Sequence, residues 1–172
     1  MIQERLNKSF FKNDVLDVAP SLLGKNLIVK KIHTIEKFII TEVEAYRGEE
    51  DLACHACKGK TKRNQIMYAD GGHVYVYLIY GMYWMLNFVT AGAGNPQAVL
   101  IRGINGFNGP GKLTKRLGID GSFYGEDLSV SDKIWVEDEN QATYIFNTGP
   151  RIGVDYAGDY WKNQPWRYWI NL

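Results

Sequence analysis

The sequence predicts a single α+β domain over residues 1–172: a curved, mainly antiparallel β-sheet with short helices around it and a protruding β-hairpin. Segments with strand-like alternation outnumber segments with helical periodicity. The connections between them are mostly too short for repeated βαβ units, which favours antiparallel pairing. The length of 172 residues fits one domain with a substantial core, and no repeat or linker-like tract divides the chain.

The elements follow from these two periodicities. Asn13–Gly24 is predicted to be helical because Asn13 or Asp14 can cap it, with Pro20 splitting it into two short turns. A short turn joins two strands near the N-terminus, and the chain is predicted to end on another strand. The predicted strands outside the hairpin cover Asn26–Ile32, Lys37–Tyr46, Ala98–Ile104, Ser129–Glu137, Arg151–Tyr156 and part of Trp161–Leu172.

Composition limits the function classes. Hydrophobic residues make up 45% of the chain, so disorder is not expected. Aromatic residues reach 13%, which fits either a binding surface or an aromatic core. The net charge of +1 does not by itself predict nucleic-acid binding, which would need a local basic patch. The chain has no apolar run of about 18 residues that could span a membrane, and residues 1–13 lack the apolar segment of a signal peptide.

The run Val74–Asn87 is the centre of the functional prediction. Tyr75 and Tyr77 alternate with aliphatic residues, and Tyr80-Gly81 then interrupts the run before a second apolar segment. This pattern predicts a β-hairpin with Tyr80 at its tip, beside a glycine that can adopt positive φ. An exposed aromatic side chain there could pry a base from a stack, whereas a buried hairpin would only add aromatic residues to the core.

The strand Lys37–Tyr46 carries the candidate carboxylate. Thr41, Val43 and Ala45 alternate with Glu44 and Tyr46, so the last two would point together to the opposite face. Glu44 is therefore either an ordinary glutamate on a surface strand or the carboxylate of a site.

Three regions of the chain could contact an anion. Arg102 is the one charge in a strand of buried type, and either Glu44 or a nucleic-acid phosphate could be its partner. A short helix predicted over Lys112–Leu117 could present backbone amides to a phosphate. The densest basic cluster is either a solvated loop or a phosphate-contact surface. It contains Lys58, Lys60, Lys62 and Arg63.

Other catalytic chemistries find little support. Cys54, His55, Cys57 and His73 are zinc-type ligands, but a second pair at conventional spacing is missing, so no metal is predicted. The zinc-deaminase patterns, the G-x-x-x-x-G-K-[ST] phosphate loop and the G-x-S-x-G elbow do not occur. Neither cysteine lies in a known nucleophile signature. Acid–base chemistry by a carboxylate remains, with Glu44 as the leading candidate.

Several motifs occur in order along nearly the whole chain. They are T-E-V-E-A-Y-R-G-E-E-D-L-A-C-H at 41–55, T-K-R-N at 61–64, V-Y-V-Y-L-I-Y-G-M-Y-W-M-L-N at 74–87, V-L-I-R at 99–102, G-P-G-K-L at 109–113 and R-I-G-V-D-Y-A-G at 151–158. Together they resemble the alkyladenine (3-methyladenine) DNA glycosylase family of the human-type fold, not the helix-hairpin-helix type. The chain departs from the family pattern at Glu49, where a proline often follows Gly48, and at the two cysteines beside His55.

The resemblance implies a monofunctional base-excision-repair enzyme. Such an enzyme flips an alkylated or deaminated purine out of double-stranded DNA, hydrolyses its N-glycosidic bond and leaves an abasic site. Glu44 would act as general base on a water aimed at C1′, Arg102 would hold that water and the carboxylate, and Tyr80 would fill the gap in the helix. The base pocket would contain Tyr46, His55, Tyr77 and Asn87, and the DNA contacts would be Arg63, Met82, Tyr83 and Lys112.

The same resemblance sets expectations for partners and setting. The substrates would be purines such as 3-methyladenine, 7-methylguanine, hypoxanthine or ethenoadenine in duplex DNA, with no cofactor, no metal and no membrane. A monomer is expected, in the bacterial cytoplasm at the nucleoid or, in a eukaryote, in the nucleus.

Two other hypotheses remain open. A non-catalytic binder of damaged or single-stranded nucleic acid could use the same aromatic platform. The presence of Glu44 together with Arg102 argues against it, because a pure binder gains nothing from an anion near DNA. An antiparallel-sheet protein-interaction module would show no salt-dependent DNA binding.

Overall fold

The computed structural model describes residues 4–139 and 144–172, and antiparallel strand pairing is the framework of this part of the chain. The strands are β1 (Glu4–Arg5), β2 (Asn26–Lys30), β3 (Ile35–Arg47), β4 (Val74–Ile79), β5 (Tyr83–Thr90), β6 (Gln97–Ile104), β7 (Phe107–Asn108), β8 (Ile134–Asp138), β9 (Asn147–Gly149) and β10 (Arg167–Trp169). They pair in the order β1-β8-β2-β3-β6-β5-β4, while β10 pairs with β3 and β9, and β7 pairs with β6. The predicted α+β class is confirmed.

Short helices cover the sheet. Helix α2 (Val15–Ser21) buries Val15, Val18 and Ala19 in the main core and is capped by Asp14, whose side chain accepts a hydrogen bond from the amide of Leu16. The prediction that Pro20 splits this helix is wrong: a proline in the last turn removes one amide donor and does not interrupt the turns before it. The α-helices are α1 (Lys8–Phe11), α2 (Val15–Ser21), α3 (Pro110–Leu117) and α4 (Gly158–Lys162), and 3-10 turns cover Gln65–Tyr68, Gly121–Phe123 and Asp155–Ala157.

Strand β3 connects the parts of the sheet, because β2 pairs with its first half and both β6 and β10 pair with its second half. Val43 and Ala45 are fully buried in the core cluster, while the side chains of Glu44 and Tyr46 hydrogen-bond each other on the opposite face. The predicted alternation is therefore confirmed. The register of β3 with β6 shifts around Glu42, a bulge of the kind that re-aims side chains near active sites.

The hairpin of β4 and β5 is confirmed, with a three-residue connection. Tyr80 and Gly81 have φ values of 50° and 68°, and the amide of Met82 donates to the carbonyl of Ile79. Two central residues with positive φ are the signature of a type I′ turn, and a tyrosine in that conformation is strained. The base of the hairpin is buried, whereas Tyr80 is 87% exposed, so the hairpin combines a core segment with a free aromatic tip.

The C-terminal region differs from the prediction in one element. Arg151–Tyr156 is a loop that leads into a 3-10 turn, not a strand, because Gly153 has a φ of 77°. The region Trp161–Leu172 contributes the end of α4 and the short strand β10, so the predicted final strand is confirmed. The loop 151–156 instead crosses the face of β3 that carries Glu44.

Candidate active site

A cavity of about 510 Å³ opens between the hairpin, β3, β6 and the loop 151–156. It brings together residues that are far apart in the sequence. The side chains of Met82, Tyr83 and Lys112 do not line it; they are exposed on the hairpin and at the start of α3. Of the residues proposed from the sequence, the cavity wall contains Tyr46, His55, Arg63, Tyr77, Tyr80, Asn87 and Arg102.

Glu44 lies directly behind this wall and is fully buried, so the surface-glutamate alternative is wrong. The hydroxyl of Tyr46 donates to Oε2 at 2.8 Å, and the backbone amide of Ile152 donates to Oε1 at 2.8 Å. The guanidinium of Arg102 lies 3.4 Å from the same Oε1. Because Tyr46, Ile152 and Arg102 all line the cavity, the carboxylate is held by groups that a bound molecule would touch.

Two opposing influences set the protonation of this carboxyl group. Burial raises the pKa of Glu44 above its ordinary value, while Arg102, the Ile152 amide and the Tyr46 hydroxyl act against that rise. Burial and the neighbouring carboxylate also raise the pKa of Tyr46 well above its ordinary value. Tyr46 therefore keeps its proton and remains a hydrogen-bond donor to Glu44.

Arg102 has two carboxylate partners. Its Nε donates to Oε1 of Glu42 at 3.2 Å, in addition to the contact with Glu44. Of the two partners left open by the sequence, Glu44 is one that the arginine contacts, and Glu42 was not predicted. Arg167 of β10 also reaches Glu42, at 3.3 Å. This network fixes the guanidinium of Arg102 at the cavity wall.

Aromatic rings form another part of the wall. The ring centroids of His55 and Tyr77 are 4.4 Å apart, and those of Tyr75 and Tyr77 are 5.2 Å apart. Nδ1 of His55 lies 2.9 Å from the hydroxyl of Tyr75. Arg63 places its guanidinium 5.0 Å from the centroid of Tyr77. A planar, electron-poor molecule would find several π faces here.

The charge state of His55 follows from its surroundings. Partial burial of the imidazole and the positive charge of Arg63 lower the pKa of His55 to about 4, although the residue as a whole is exposed. The imidazole is therefore neutral near pH 7 and offers a neutral hydrogen-bonding edge.

Asn87 is a buried polar residue on the wall, with only 3% of its surface exposed. Its Nδ2 donates to the carbonyls of Tyr75 and Met85 at 3.2 and 3.3 Å. Both contacts are within the hairpin, so the orientation of the amide is set by the strand pairing of β4 with β5.

Some residues of the site were not proposed from the sequence. Tyr75 could have been found, because it shares a strand face with Tyr77. The Ile152 amide and Tyr156 could not, because they belong to the loop that was predicted as a strand. Tyr156 lines the cavity and donates from its hydroxyl to the carbonyl of Ala53 at 3.1 Å.

The cysteines do not form a recognisable site. Cys54 is buried, and burial raises the pKa of its thiol to about 12, while Cys57 is partly exposed. Across residues 4–139 and 144–172, no cluster of three or more histidine, cysteine, aspartate or glutamate side chains is arranged around a potential metal position. In the same part of the chain, no helix has the length and apolar character needed to cross a membrane.

Comparison with known proteins identifies the family. The family model described as methylpurine-DNA glycosylase (MPG) matches residues 9–108 and 105–172. The chain belongs to the methylpurine-DNA glycosylase family. A relative from Desulfitobacterium hafniense is 41% identical, with 97% of this chain and 95% of the relative covered, and one from Methanocella arvoryzae is 42% identical, with 95% and 91% covered. Both carry the provisional name 3-methyladenine DNA glycosylase, as does a relative from Borrelia garinii at 42% identity, with 96% and 95% covered.

Membership in the methylpurine-DNA glycosylase family confirms the resemblance found in the motifs. It supports a DNA glycosylase of base excision repair, with DNA as the substrate. The relatives are covered almost from end to end, so the match is not restricted to one segment.

Proposed function

We propose that this protein is a monofunctional DNA glycosylase that flips damaged purines out of double-stranded DNA and hydrolyses their N-glycosidic bond. The observation that carries the proposal is the position of Glu44, which is buried and held by two hydrogen-bond donors and the Arg102 guanidinium directly behind a cavity lined with aromatic side chains. An exposed tyrosine, Tyr80, stands at the rim of the same cavity. The proposed enzyme works as a monomer without a cofactor.

The chemistry assigned to this site needs a base and a stabilised positive charge. Alkylation at N3 or N7 makes a purine cationic, so the base leaves with little help, and the sugar becomes oxocarbenium-like. Glu44 activates a water for attack on C1′ and stabilises the charge on the sugar, and Arg102 helps to hold the carboxylate and the water. No lysine acts as nucleophile in this scheme, so the product is an abasic site in an uncut strand.

Recognition depends on the aromatic wall. Tyr46, His55 and Tyr77 would stack on the flipped base, and each cation–π contact with an alkylated base contributes roughly 0.5–2 kcal/mol. Flipping costs a few kcal/mol and less at a damaged pair. Tyr80 offsets part of that cost by filling the gap that the nucleotide leaves in the helix.

The same wall suggests a substrate range. Asn87 would clash with the 2-amino group of normal guanine and so exclude it. The proposed substrates are 3-methyladenine, 7-methylguanine, hypoxanthine and ethenoadenine. The proposed contacts with the DNA on either side of the flipped base are Arg63, Met82, Tyr83 and Lys112, all of which are exposed.

A panel of duplexes tests this proposal, each with one lesion opposite its normal partner. The purified protein should release the damaged base, and the strand should break only after alkali treatment. Strand cleavage without alkali would contradict the monofunctional mechanism. Salt-dependent binding without release of any base would instead indicate a non-catalytic binder, and the absence of DNA binding would favour an interaction module.

A further inference from the structure

A buried ion pair lies behind the same wall as Glu44, and the proposed mechanism does not use it. Both oxygens of the Asp51 carboxylate pair with the guanidinium of Arg151, at 2.5 and 2.8 Å, and both side chains are fully buried. Arg151 also donates to the backbone carbonyls of Ala45 and Trp161 at 3.0 and 3.2 Å. A bidentate pair with further hydrogen bonds has one well-defined geometry.

Three links connect Arg151 to Glu44: strand β3, the ring of Tyr46 and the loop at Ile152. Ala45, whose carbonyl it binds, separates Glu44 from Tyr46 on β3. The centre of the guanidinium lies 4.8 Å from the ring centroid of Tyr46, whose hydroxyl donates to Oε2 of Glu44. The next residue, Ile152, donates its amide to Oε1. One cation therefore touches the strand, the ring and the loop that together orient the carboxylate.

We propose that Arg151, held by Asp51, is a positioning residue for base release: it fixes the Ile152 amide and the Tyr46 ring against Glu44, and its charge favours the ionised carboxylate. The inference rests on the proposed function, in which Glu44 is the general base. Arg151 is not itself a catalytic residue, because it lies behind the cavity wall and does not line it.

Several charged or titratable groups surround Glu44. From β6 comes Arg102, from β4 Tyr77, and from its own strand Tyr46 and Glu42; Arg167 of β10 lies opposite it in the strand register. Arg151 also acts on Glu44, and Asp51 is its buried carboxylate partner. The charge of Arg151 lowers the pKa of Glu44, and Asp51 neutralises that positive charge.

This opposition separates a positioning role from a structural one. Arg151→Gln removes a positive charge near Glu44 and should raise its pKa. Asp51→Asn leaves the positive charge of Arg151 uncompensated and should lower the pKa of Glu44. If the ion pair only stabilised the fold, both variants would lower stability and neither would shift the pKa of Glu44 in its own direction.

The experiment measures single-turnover base release from a hypoxanthine duplex as a function of pH. A general base works when deprotonated, so the rate rises with pH through the pKa of Glu44. We expect the acid limb to move up by about one pH unit in Arg151→Gln and down in Asp51→Asn, relative to wild type. Arg151→Lys, which keeps the charge but loses the bidentate geometry, should lower the plateau rate without an upward shift.

Ile152→Pro provides a second test that keeps both side chains of the ion pair. It deletes the amide that donates to Glu44 at a half-exposed position, so folding is less at risk than in the buried variants. The acid limb should again move up. Shifts of both ion-pair variants in the same direction, or an unchanged profile in Ile152→Pro, would overturn the inference.

Wild-type activity distinguishes this inference from the proposed function. If wild type released no base from any lesion, the glycosylase proposal itself would fail. If wild type released bases and the variants showed no opposed shifts, only the role of Arg151 would be wrong. Circular dichroism of each variant identifies a temperature at which that variant is folded, and base release is measured at that temperature.

Discussion

Tyr46 donates a hydrogen bond of 2.8 Å to Oε2 of Glu44, two residues before it on β3. The spacing of two places both side chains on one face of the strand, so a ring of the cavity wall also orients the buried carboxylate. The Ile152 amide holds the other carboxylate oxygen at 2.8 Å. Both donors favour the ionised form, which is the form that a general base needs.

Replacement of Glu44 by glutamine should separate chemistry from binding. Glu44→Gln preserves the size of the side chain and removes its charge, so base release should fall by about 10²-fold or more. Affinity for lesion-containing duplex should be retained, as measured by fluorescence anisotropy. Glu42→Gln is the matched control, because Glu42 shares the Arg102 contact but lies two residues before Glu44, which is the residue that accepts the Tyr46 hydroxyl bond; the loss of activity in Glu42→Gln should be smaller. Release of 3-methyladenine by Glu44→Gln at the wild-type rate would exclude the assignment.

Removal of the exposed ring at the hairpin tip should weaken base extrusion. Tyr80→Ala loses the stacking that fills the gap in the helix, worth about 1–3 kcal/mol, so the flipped population should drop about tenfold. Stopped-flow fluorescence of a base analogue beside the lesion reports this step. Tyr160→Ala on α4 is the control, because Tyr160 is 69% exposed and does not line the cavity. Equal extrusion in wild type and Tyr80→Ala would rule out the role of Tyr80.

The raised pKa of Glu44 should appear in the pH dependence of the rate. Because burial raises this pKa above the ordinary value of 4.5, release of a neutral base should decline at a higher pH than an ordinary glutamate would cause. Single-turnover rates on a hypoxanthine duplex measure this decline. A rate that stays constant down to about pH 4.5 would contradict a buried general base.

His55 should make folding stability depend on pH. Its pKa is about 4 in the folded protein against 6.5 for the ordinary group, so the unfolded chain binds more protons between these values. Stability should therefore fall as the pH is lowered from about 6.5 to about 4. The decrease in Tm over this range should be smaller in His55→Gln than in wild type. An identical decrease in both proteins would show that His55 does not titrate as inferred.

Arg63 should affect which lesions are released. Its guanidinium lies 5.0 Å from the centre of the Tyr77 ring, where it competes with a cationic base for the same π system. Arg63→Gln should therefore raise the ratio of 7-methylguanine release to hypoxanthine release, by roughly threefold to tenfold for about 1 kcal/mol. Lys62→Gln removes a neighbouring exposed charge and should weaken DNA binding without changing this ratio. If Arg63→Gln and Lys62→Gln changed the ratio of 7-methylguanine release to hypoxanthine release equally, the effect would be one of general charge, and the specific role of Arg63 at the Tyr77 ring would be excluded.

Much of the site follows from local sequence pattern. Alternation along β3 was sufficient to predict that Glu44 and Tyr46 share a face, and alternation in β4 did the same for Tyr75 and Tyr77. The Tyr80-Gly81 pair predicted the turn, because glycine tolerates the positive φ that such a turn needs. The motifs between 41 and 158 were sufficient for the family, which the comparison confirmed.

Only the tertiary structure showed what surrounds the carboxylate. Ile152 donates to Glu44 across 108 residues of sequence, and Arg151 pairs with Asp51 across 100. Local periodicity determines which way a side chain points from its strand, but it contains no information about which distant loop packs over that strand. The environment of Glu44, and hence its burial and pKa, was therefore decided by long-range packing.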